Sequence, residues 1–246
     1  CGIPVVKHGN RAASSKSGSA DVLEALGISV NLTKDQVLSC FKQIGITFCF
    51  APTFHPSMKN VAVARKSLAT TTVFNFLGPL SNPSYPKAQV VGVSNLNMAP
   101  LIAQSLLNRD IKALVVRGLE GLDEISISAA TTILQISQGK IREEILDITE
   151  LGIPTYSIAD LRGGEASENA DRIRKVFNGA QGADREAILL NAAAALAAFK
   201  GDFELGISEQ LANGYAWAKS AIDRGKATQL LERWSELSNE LANRSL

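Results

Sequence analysis

Short apolar runs rich in β-branched residues alternate with helical patterns along the first half of this chain, and this alternation constrains the fold most. Thr33 and Gln36 have capping-box spacing ahead of one helical pattern, which Gly45 ends, and Pro100–Leu107 fits a crossover helix. The alternation predicts an α/β fold with a mostly parallel central sheet flanked by helices, whose ligands collect at the carboxyl ends of strands. The predicted buried strands are Ile3–Val6, Ile46–Phe50, Gln89–Val93 and Ala113–Val116.

The second half of the chain has a different pattern. Thr131–Ser137 and Ile141–Ile148 are separated by a short polar turn, which predicts an antiparallel addition at the sheet edge. From Ser167 onward the pattern is helical, and Asp184–Phe199 includes an alanine-rich stretch suited to close helix packing. Because no repeat, linker or composition boundary interrupts the chain, we expect one α/β domain over residues 1–246.

Composition excludes several classes of protein. Lys and Arg total 25 against 24 Asp and Glu, so a net charge of +1 gives no general affinity for nucleic acid or an anionic membrane. No apolar run approaches the roughly 18 to 20 residues of a membrane span. Three cysteines, at positions 1, 40 and 49, lack metal-ligand spacing and suit a reducing cytoplasm. The sequence starts without Met in a strand-like segment, so we expect it to be the C-terminal part of a longer protein.

A cationic, serine-rich segment follows the first predicted strand. Residues 7–27 carry glycines at 9 and 18, which free backbone N–H groups, and run into an amphipathic helix whose N-terminal dipole favours anions. The remaining donors are the charges of Lys7, Arg11 and Lys16 and the hydroxyls of Ser14, Ser15, Ser17 and Ser19. Together these features predict a phosphate site.

An adjacent pair of carboxylates, Asp123 and Glu124, follows the strand Ala113–Val116 on a glycine-flexed loop. Two carboxylates at a binding edge suit Mg²⁺, which takes one or two protein carboxylates together with water and substrate phosphate. The alternative is a solvated turn, since exposed acids in turns are common. The phosphate segment elsewhere in the predicted sheet favours the metal.

A third segment, residues 50–83, combines aromatic and polar side chains that suit a pocket for a flat acid. His55 is either a base or a structural histidine beside Pro56, and the structural role is the more common one. Arg65 either pairs bidentately with a carboxylate or is a surface helix charge.

Several strings in these segments resemble the anthranilate phosphoribosyltransferase family, and the resemblance runs through most of the chain. Their order and spacing make the match specific. The strings are Lys7-His8-Gly9-Asn10-Arg11-Ala12 with Ser14 to Asp21, His55-Pro56-x-Met58-Lys59, Phe74-Asn75-x-Leu77-Gly78-Pro79-Leu80-x-Asn82-Pro83, Gly121-Leu122-Asp123-Glu124-Ile125-Ser126, Glu168-Asn169-Ala170 and Leu189-Leu190-Asn191-Ala192-Ala193.

The resemblance implies Mg²⁺-assisted transfer of a phosphoribosyl group from phosphoribosyl pyrophosphate to the amino group of anthranilate, the second step of tryptophan biosynthesis from chorismate. It assigns anthranilate to Asn10 and Arg65, and Mg²⁺ to Asp123 and Glu124. It further implies a cytoplasmic homodimer that binds neither nucleic acid nor membrane. The implied substrate-binding residues are Lys7, His8, Gly9, Asn10, Arg11, Ala12, Ala13, Ser14, Ser15, Ser19 and Arg65.

The sequence departs from the family pattern at two places. The family has a Gly-Thr-Gly-Gly-Asp loop and a helical segment upstream of the Lys7 string, and neither is present, so we expect a chain confined to these residues to have little activity. Relatives usually carry Arg where this chain has Thr71. Residues 27–45 and 55–80 are expected to contact the small helical domain that is mostly missing.

Two other functions fit parts of the pattern. A nucleoside phosphorylase of the same fold, acting on pyrimidine nucleosides, needs phosphate and ribose sites but neither Arg65 nor the Asp123–Glu124 pair. A non-catalytic paralogue that binds nucleic acid is expected to have a basic stripe and no acidic pair. The balanced charge and the intact pair favour the transferase.

Overall fold

The computed structural model describes residues 1–12, 15–58, 60 and 76–244. These residues form two compact units, each assembled from separate parts of the chain. One, here called the two-stranded unit, comprises Gly2–Tyr85, Gly163–Lys175 and Gly225–Leu246. The other, the four-stranded unit, comprises Pro86–Arg162 and Val176–Arg224 together with Cys1. In the part of the chain described, no helix is long and apolar enough to cross a membrane.

The two-stranded unit contains a parallel pair of strands, β1 (Val5–Gly9) and β2 (Ile46–Phe50), with Lys7 opposite Phe48. The expected capping box forms at Thr33, and Gly45 ends the helix with a φ of 76°. Its core packs β2 against helices of the same unit around Cys40, Phe48 and Trp234. The helices are α1 (Ser19–Ala25), α2 (Lys34–Ile44), α3 (Ala51–Phe54), α4 (Leu77–Leu80), most of α6 (Ala166–Phe177) and α9 (Lys226–Asn243), with a 3₁₀ turn at Pro56–Met58.

The four-stranded unit has the strand order β3-β4-β5-β6. β3 and β4 are parallel, and the other two pairings are antiparallel, so the predicted edge hairpin is confirmed. Its elements are β3 (Ala88–Gly92), α5 (Ala99–Leu107), β4 (Lys112–Gly118), β5 (Thr131–Ser137), β6 (Lys140–Leu146), 3₁₀ turns at Ile148–Leu151 and Ile158–Leu161, α7 (Ala183–Lys200) and α8 (Ile207–Asp223).

The core of the four-stranded unit explains why α7 carries so many alanines. Small side chains let α7 and α8 approach closely, and a Cβ at Gly214 would lie 2.8 Å from the carbonyl oxygen of Ala193. Apolar residues of β4 and β5, among them Leu114 and Ile133, are almost fully buried in the same cluster as α7. A large apolar face of this kind stabilises a unit mainly through the hydrophobic effect.

The α/β class with flanking helices is confirmed, but two expectations need correction. The described strands form two sheets rather than one, and half of their pairings are antiparallel. β1 begins later than Ile3 and includes Lys7 and His8, because pairing with β2 provides the backbone partners that a polar strand residue needs. The extent of the α/β domain over residues 1–246 stays a prediction.

Candidate functional site

The phosphate segment forms a loop from Asn10 to Gly18, here called the anion loop, which Asp21 holds closed. The Asp21 Oδ2 accepts hydrogen bonds from the backbone N–H of Ala12 at 2.9 Å and of Gly18 at 2.8 Å. These two bonds, with a smaller contribution from Arg11, keep the pKa of Asp21 below its ordinary value. An ionised Asp21 therefore fixes both ends of the loop at the start of α1.

Glycine is required at position 18 because the backbone of Arg11 and Ala12 passes very close to it. Its backbone is extended, with a φ of −106° and a ψ of 176°. A Cβ at Gly18 would overlap the backbone nitrogen of Ala12 and lie 2.6 Å from the carbonyl carbon of Arg11. Any side chain here would push the two arms of the loop apart.

In this structure the Arg11 side chain pairs with two acids of α1. Its guanidinium bonds both carboxylate oxygens of Glu24, with Nη2 2.7 Å from Oε1, and lies 3.2 Å from the Asp21 Oδ1. It also lies 5.4 Å from the centre of the Phe50 ring. The sequence assigned this charge to a substrate anion, whereas the structure gives it acidic partners on α1. Its role toward substrate stays a prediction.

A second loop is clamped to the anion loop by Asn169. The Asn169 Nδ2 donates to the Ser17 Oγ at 2.8 Å and to the Gly164 carbonyl at 3.1 Å, and its Oδ1 accepts from the Gly164 N–H at 3.0 Å. The Ser17 hydroxyl in turn donates to the Gly164 carbonyl at 3.3 Å. Ser17 therefore faces Gly164 and Asn169, and the Glu168-Asn169-Ala170 string acquires a structural role.

The strand that leads into the anion loop, β1, is bonded to Gly78 and Asn82. Asn82 Nδ2 donates to the Val6 carbonyl at 3.1 Å, and the His8 Nδ1 lies 3.2 Å from the Gly78 carbonyl. A carbonyl partner requires Nδ1 to carry the hydrogen, which leaves Nε2 as the acceptor. Burial, together with the nearby His55 and Lys7, outweighs the Gly78 bond and lowers the pKa of His8 below 6.5.

The imidazole rings of His8 and His55 pack against each other at the end of β1. Their ring centres lie 4.9 Å apart with the rings nearly perpendicular. Within the described residues, the Nε2 atom of each ring is buried without a hydrogen-bond partner. The structural role weighed for His55 therefore includes packing against His8.

The other predicted residues of this segment divide into three groups. Lys7, Asn10 and Ala12 are exposed, and the Asn10 Oδ1 accepts from the Arg11 N–H at 2.8 Å, which orients the Asn10 carboxamide. Ser15 donates to the Ser17 carbonyl at 3.1 Å, whereas Ser19 begins α1 and Gly9 ends β1. Ala13, Ser14, Lys59, Arg65, Thr71, Phe74 and Asn75 lie outside the described residues.

The carboxylate pair lies in the four-stranded unit on the segment Gly118–Ser128, here called the metal loop, which follows β4. Asp123 and Glu124 are exposed, whereas the next residue, Ile125, is almost fully buried. Asn191 of α7 accepts from the Ile125 N–H at 3.0 Å and donates to the Ile125 carbonyl at 3.3 Å. Burial of Ile125 and its two bonds to Asn191 thus fix the backbone directly after the pair.

The far end of β3 also packs against the metal loop. A Cβ at Gly92 would overlap the carbonyl oxygen of Asp123 and lie 2.6 Å from its carbonyl carbon. The backbone of Asp123 therefore packs directly on the strand end. Only glycine leaves room for that approach.

A hydroxyl network closes the base of the metal loop. Glu120 accepts hydrogen bonds from Ser126 Oγ and from Ser128 Oγ, the latter at 2.8 Å. Burial opposes ionisation of Glu120, but these bonds outweigh it and keep its pKa below the ordinary value. The Ser126 N–H also donates to the Thr131 Oγ1 at 2.9 Å. Glu120 is thus engaged by serines of its own loop.

The metal loop fits the requirements of Mg²⁺. Two exposed carboxylates, on a backbone that is bonded to Asn191 and packed on Gly92, supply hard oxygen ligands, and water with substrate phosphate normally completes such a site. Within the described residues there is no cluster of three or more His, Cys, Asp or Glu side chains that a metal held entirely by protein would need. The donor set matches a metal shared with a phosphorylated substrate.

Comparison with known proteins decides the family. The profile described as "Glycosyl transferase family, a/b domain" matches residues 1–228. The chain is 48% identical over 248 residues to the anthranilate phosphoribosyltransferase of Nocardia farcinica, covering 99% of this chain and 72% of that protein. The chain belongs to the anthranilate phosphoribosyltransferase family. This membership makes it an enzyme of the pentosyltransferase class.

Further relatives agree with that assignment. The anthranilate phosphoribosyltransferase of Rhodococcus jostii is 47% identical over 241 residues, covering 98% of this chain and 67% of its own length. The crystal structure of the family member from Thermus thermophilus has a TM-score of 0.88 at 36% identity, covering 97% of this chain and 69% of that one. A Saccharomyces cerevisiae structure in complex with PRPP and Mg has a TM-score of 0.87 at 26% identity, covering 97% and 66%. The chain thus spans about two thirds of the length of these family members.

The sequence pattern selected the anion loop and the metal loop but gave no role to the residues that hold these loops in place. Asp21, Asn169, Asn191 and Gly92 were given no role. Three of them lie inside strings that match the family, so a signal was present for Asp21, Asn169 and Asn191. Gly92 lies outside those strings, at the end of a predicted strand.

Proposed function

We propose that this protein transfers the 5-phosphoribosyl group of phosphoribosyl pyrophosphate to the amino nitrogen of anthranilate and releases pyrophosphate. In this step the bond from ribose C1 to the pyrophosphate oxygen breaks, a C1–N bond forms, and the amine loses a proton. The observation that carries the proposal is the metal loop, because family membership alone does not require two exposed acids on a backbone fixed by Asn191 and Gly92.

The residues of the anion loop are proposed to bind the phosphates of the donor. Lys7 supplies an exposed ammonium group, Asn10 an NH₂ donor, and Ser15 and Ser19 hydroxyls near the start of α1. Donors fixed before the substrate arrives stabilise charge that develops on a leaving group without reorganising, which is the largest source of rate in many enzymes. Asp21 and Asn169 keep these donors in place.

Asp123 and Glu124 are proposed to hold Mg²⁺ against the pyrophosphate. A bound Mg²⁺ neutralises charge on the leaving pyrophosphate and so helps it depart. The acceptor amine is neutral near pH 7 and needs positioning more than a strong base, a task proposed for Asn10 and Arg65. Arg65 lies outside the described residues.

The wider setting of the reaction is also part of the proposal. We place it as the second step of tryptophan biosynthesis from chorismate, in the cytoplasm, carried out by a homodimer. The relatives' names and the complexes of the yeast structures support the reaction. Size-exclusion chromatography with light scattering tests the dimer.

The proposal is tested by following anthranilate fluorescence in the presence of phosphoribosyl pyrophosphate and Mg²⁺, after measuring the intact mass of the polypeptide. Fluorescence is expected to fall only when both additions are present. The double variant Asp123→Asn with Glu124→Gln is expected to lose at least about 100-fold in kcat/KM. Glu143→Gln removes an exposed acid of the same unit and serves as the matched control. A folded polypeptide whose mass exceeds that of these 246 residues and that leaves anthranilate unconsumed overturns the proposal.

A further inference from the structure

Asn191 connects the alanine-rich helix α7 to the metal loop. Its Nδ2 donates to the Ala187 carbonyl, one turn earlier on α7, at 2.9 Å and to the Ile125 carbonyl at 3.3 Å. Its Oδ1 accepts from the Ile125 N–H at 3.0 Å. One carboxamide therefore satisfies both backbone groups of Ile125 and is itself oriented by its own helix.

The residue that Asn191 binds directly follows the carboxylate pair. Ile125 is 1% exposed, and its side chain lies in the same buried cluster as Leu190 and Ala194 of α7. A buried N–H and C=O without partners would destabilise the folded protein, so this pairing is strongly favoured. The backbone from which Asp123 and Glu124 project is consequently fixed in position relative to α7.

Gly92 adds a second constraint on the metal loop. The Asp123 backbone packs on Gly92, where a single Cβ would overlap it. The loop therefore cannot approach β3 more closely, and the two Asn191 bonds, together with the buried Ile125 side chain, hold it to α7. Without those bonds, the constraint on the backbone beside the carboxylate pair is weakened.

We infer that Asn191 is a positioning residue for the Mg²⁺ carboxylates Asp123 and Glu124. The inference rests on the proposed function, since it assigns a task to a residue that supports the proposed metal site. Mg²⁺ demands near-octahedral geometry and tolerates little displacement of its ligands. Loss of a residue that orients metal ligands typically lowers metal affinity by about 10- to 100-fold.

The test measures divalent metal binding directly. Mn²⁺ replaces Mg²⁺ as the probe, and its free concentration is read from its electron paramagnetic resonance signal in the presence of phosphoribosyl pyrophosphate. Asn191→Ala and Asn191→Leu are each expected to weaken Mn²⁺ binding by about 10- to 100-fold. The Ala variant suits the helix and keeps the test valid if the Leu variant fails to fold.

Gln210→Ala is the matched control. Gln210 is also a buried carboxamide on a helix of the four-stranded unit, where it bonds Gln135 and the Leu205 carbonyl away from the metal loop. It is expected to lower the melting temperature without changing Mn²⁺ affinity. A folded Asn191→Ala protein with the Mn²⁺ affinity of the parent, or an equal loss in Gln210→Ala, overturns the inference.

The double variant Asp123→Asn with Glu124→Gln separates this inference from the function on which it rests. If that variant binds Mn²⁺ as well as the parent, the proposed metal site is wrong. If the double variant loses Mn²⁺ binding while Asn191→Ala retains it, the proposed metal site is supported and the positioning role of Asn191 is wrong.

Discussion

The anion loop and the metal loop each donate hydrogen bonds to an acid close by in the chain, but the two acids bind different groups. Asp21, which follows the anion loop on α1, binds two backbone N–H groups, and Arg11 pairs with Glu24 beside it. Glu120 of the metal loop binds serine hydroxyls, while the backbone of that loop is bonded to the Asn191 carboxamide and packs on Gly92. A carboxylate therefore fixes the backbone of the anion loop directly, whereas a carboxamide from a helix does so in the metal loop.

The largest effect is expected from Gly92→Ala. The new Cβ must displace the Asp123 backbone, and a misplacement of about 1 Å costs on the order of 100-fold in rate. Steady-state kinetics and Mn²⁺ affinity are both expected to fall. At Gly206, another position of the four-stranded unit, a Cβ would meet only the Glu144 carboxylate at 3.8 Å, so Gly206→Ala is the control. Parent-like Mn²⁺ binding in Gly92→Ala would show that the metal loop tolerates displacement.

Asp21→Asn is expected to have the next largest effect, confined to the donor substrate. The neutral amide loses the charge that pairs with Arg11 and binds Ala12 and Gly18 more weakly. We expect the KM for phosphoribosyl pyrophosphate to rise by about tenfold while Mn²⁺ binding to the metal loop is retained. Asp171→Asn, an exposed acid paired to Arg174, is the control. An equal rise of this KM in Asp21→Asn and Asp171→Asn would contradict the specific role of Asp21 in the anion loop.

Asn169→Ala tests the uncharged part of the anion loop. It removes the bonds to Ser17 and Gly164, so we expect a rise of a few-fold in the same KM, smaller than for Asp21→Asn. Ser17→Ala removes one of these partners and is expected to have a smaller effect still. A larger effect of Ser17→Ala than of Asn169→Ala would indicate that Ser17 contacts substrate directly.

The smallest expected effect is on pH dependence, and it belongs to the two-stranded unit. Burial lowers the pKa of His8 below 6.5, so the unfolded chain takes up a proton at a higher pH than the folded one. The contribution of His8 to stability is therefore complete above pH 6.5 and decreases as pH falls from 6.5 through the folded pKa.

Nuclear magnetic resonance titration measures this directly, because the chain has only two histidines and His55→Gln identifies the remaining signal. A His8 midpoint at or above 6.5 would contradict the effect of burial on His8. The titration compares the folded protein with a model peptide in the same buffer.

Sequence patterns predicted local features well. Strands Ile46–Phe50 and Thr131–Ser137 were predicted with the observed bounds, because each is a short run rich in β-branched or aromatic residues that a helix or turn signal ends. The Thr33 cap and the Gly45 end of α2 were likewise predicted, since the partners lie within one turn. Local chemistry of this kind needs no knowledge of tertiary contacts.

The parts that were missed depend on partners distant in sequence. Asn191 lies 66 positions from Ile125, and Asn169 lies 152 positions from Ser17. A single sequence does not reveal which backbone groups such an amide will bind. The two-sheet division escaped prediction for the same reason, and the Arg11 charge was assigned to a substrate because its nearest acids, on α1, were not recognised as partners.

The bonds between Asn191 and Ile125 also determine how the metal loop opens. Because the Ile125 N–H is bound to a helix packed tightly on α8 at Gly214, exposing that amide to solvent requires part of the four-stranded core to separate. Exchange of this amide with solvent deuterium is therefore governed by unfolding of the unit rather than by loop motion. The exposed tip of the loop, one residue away, exchanges on the much faster scale of the surface.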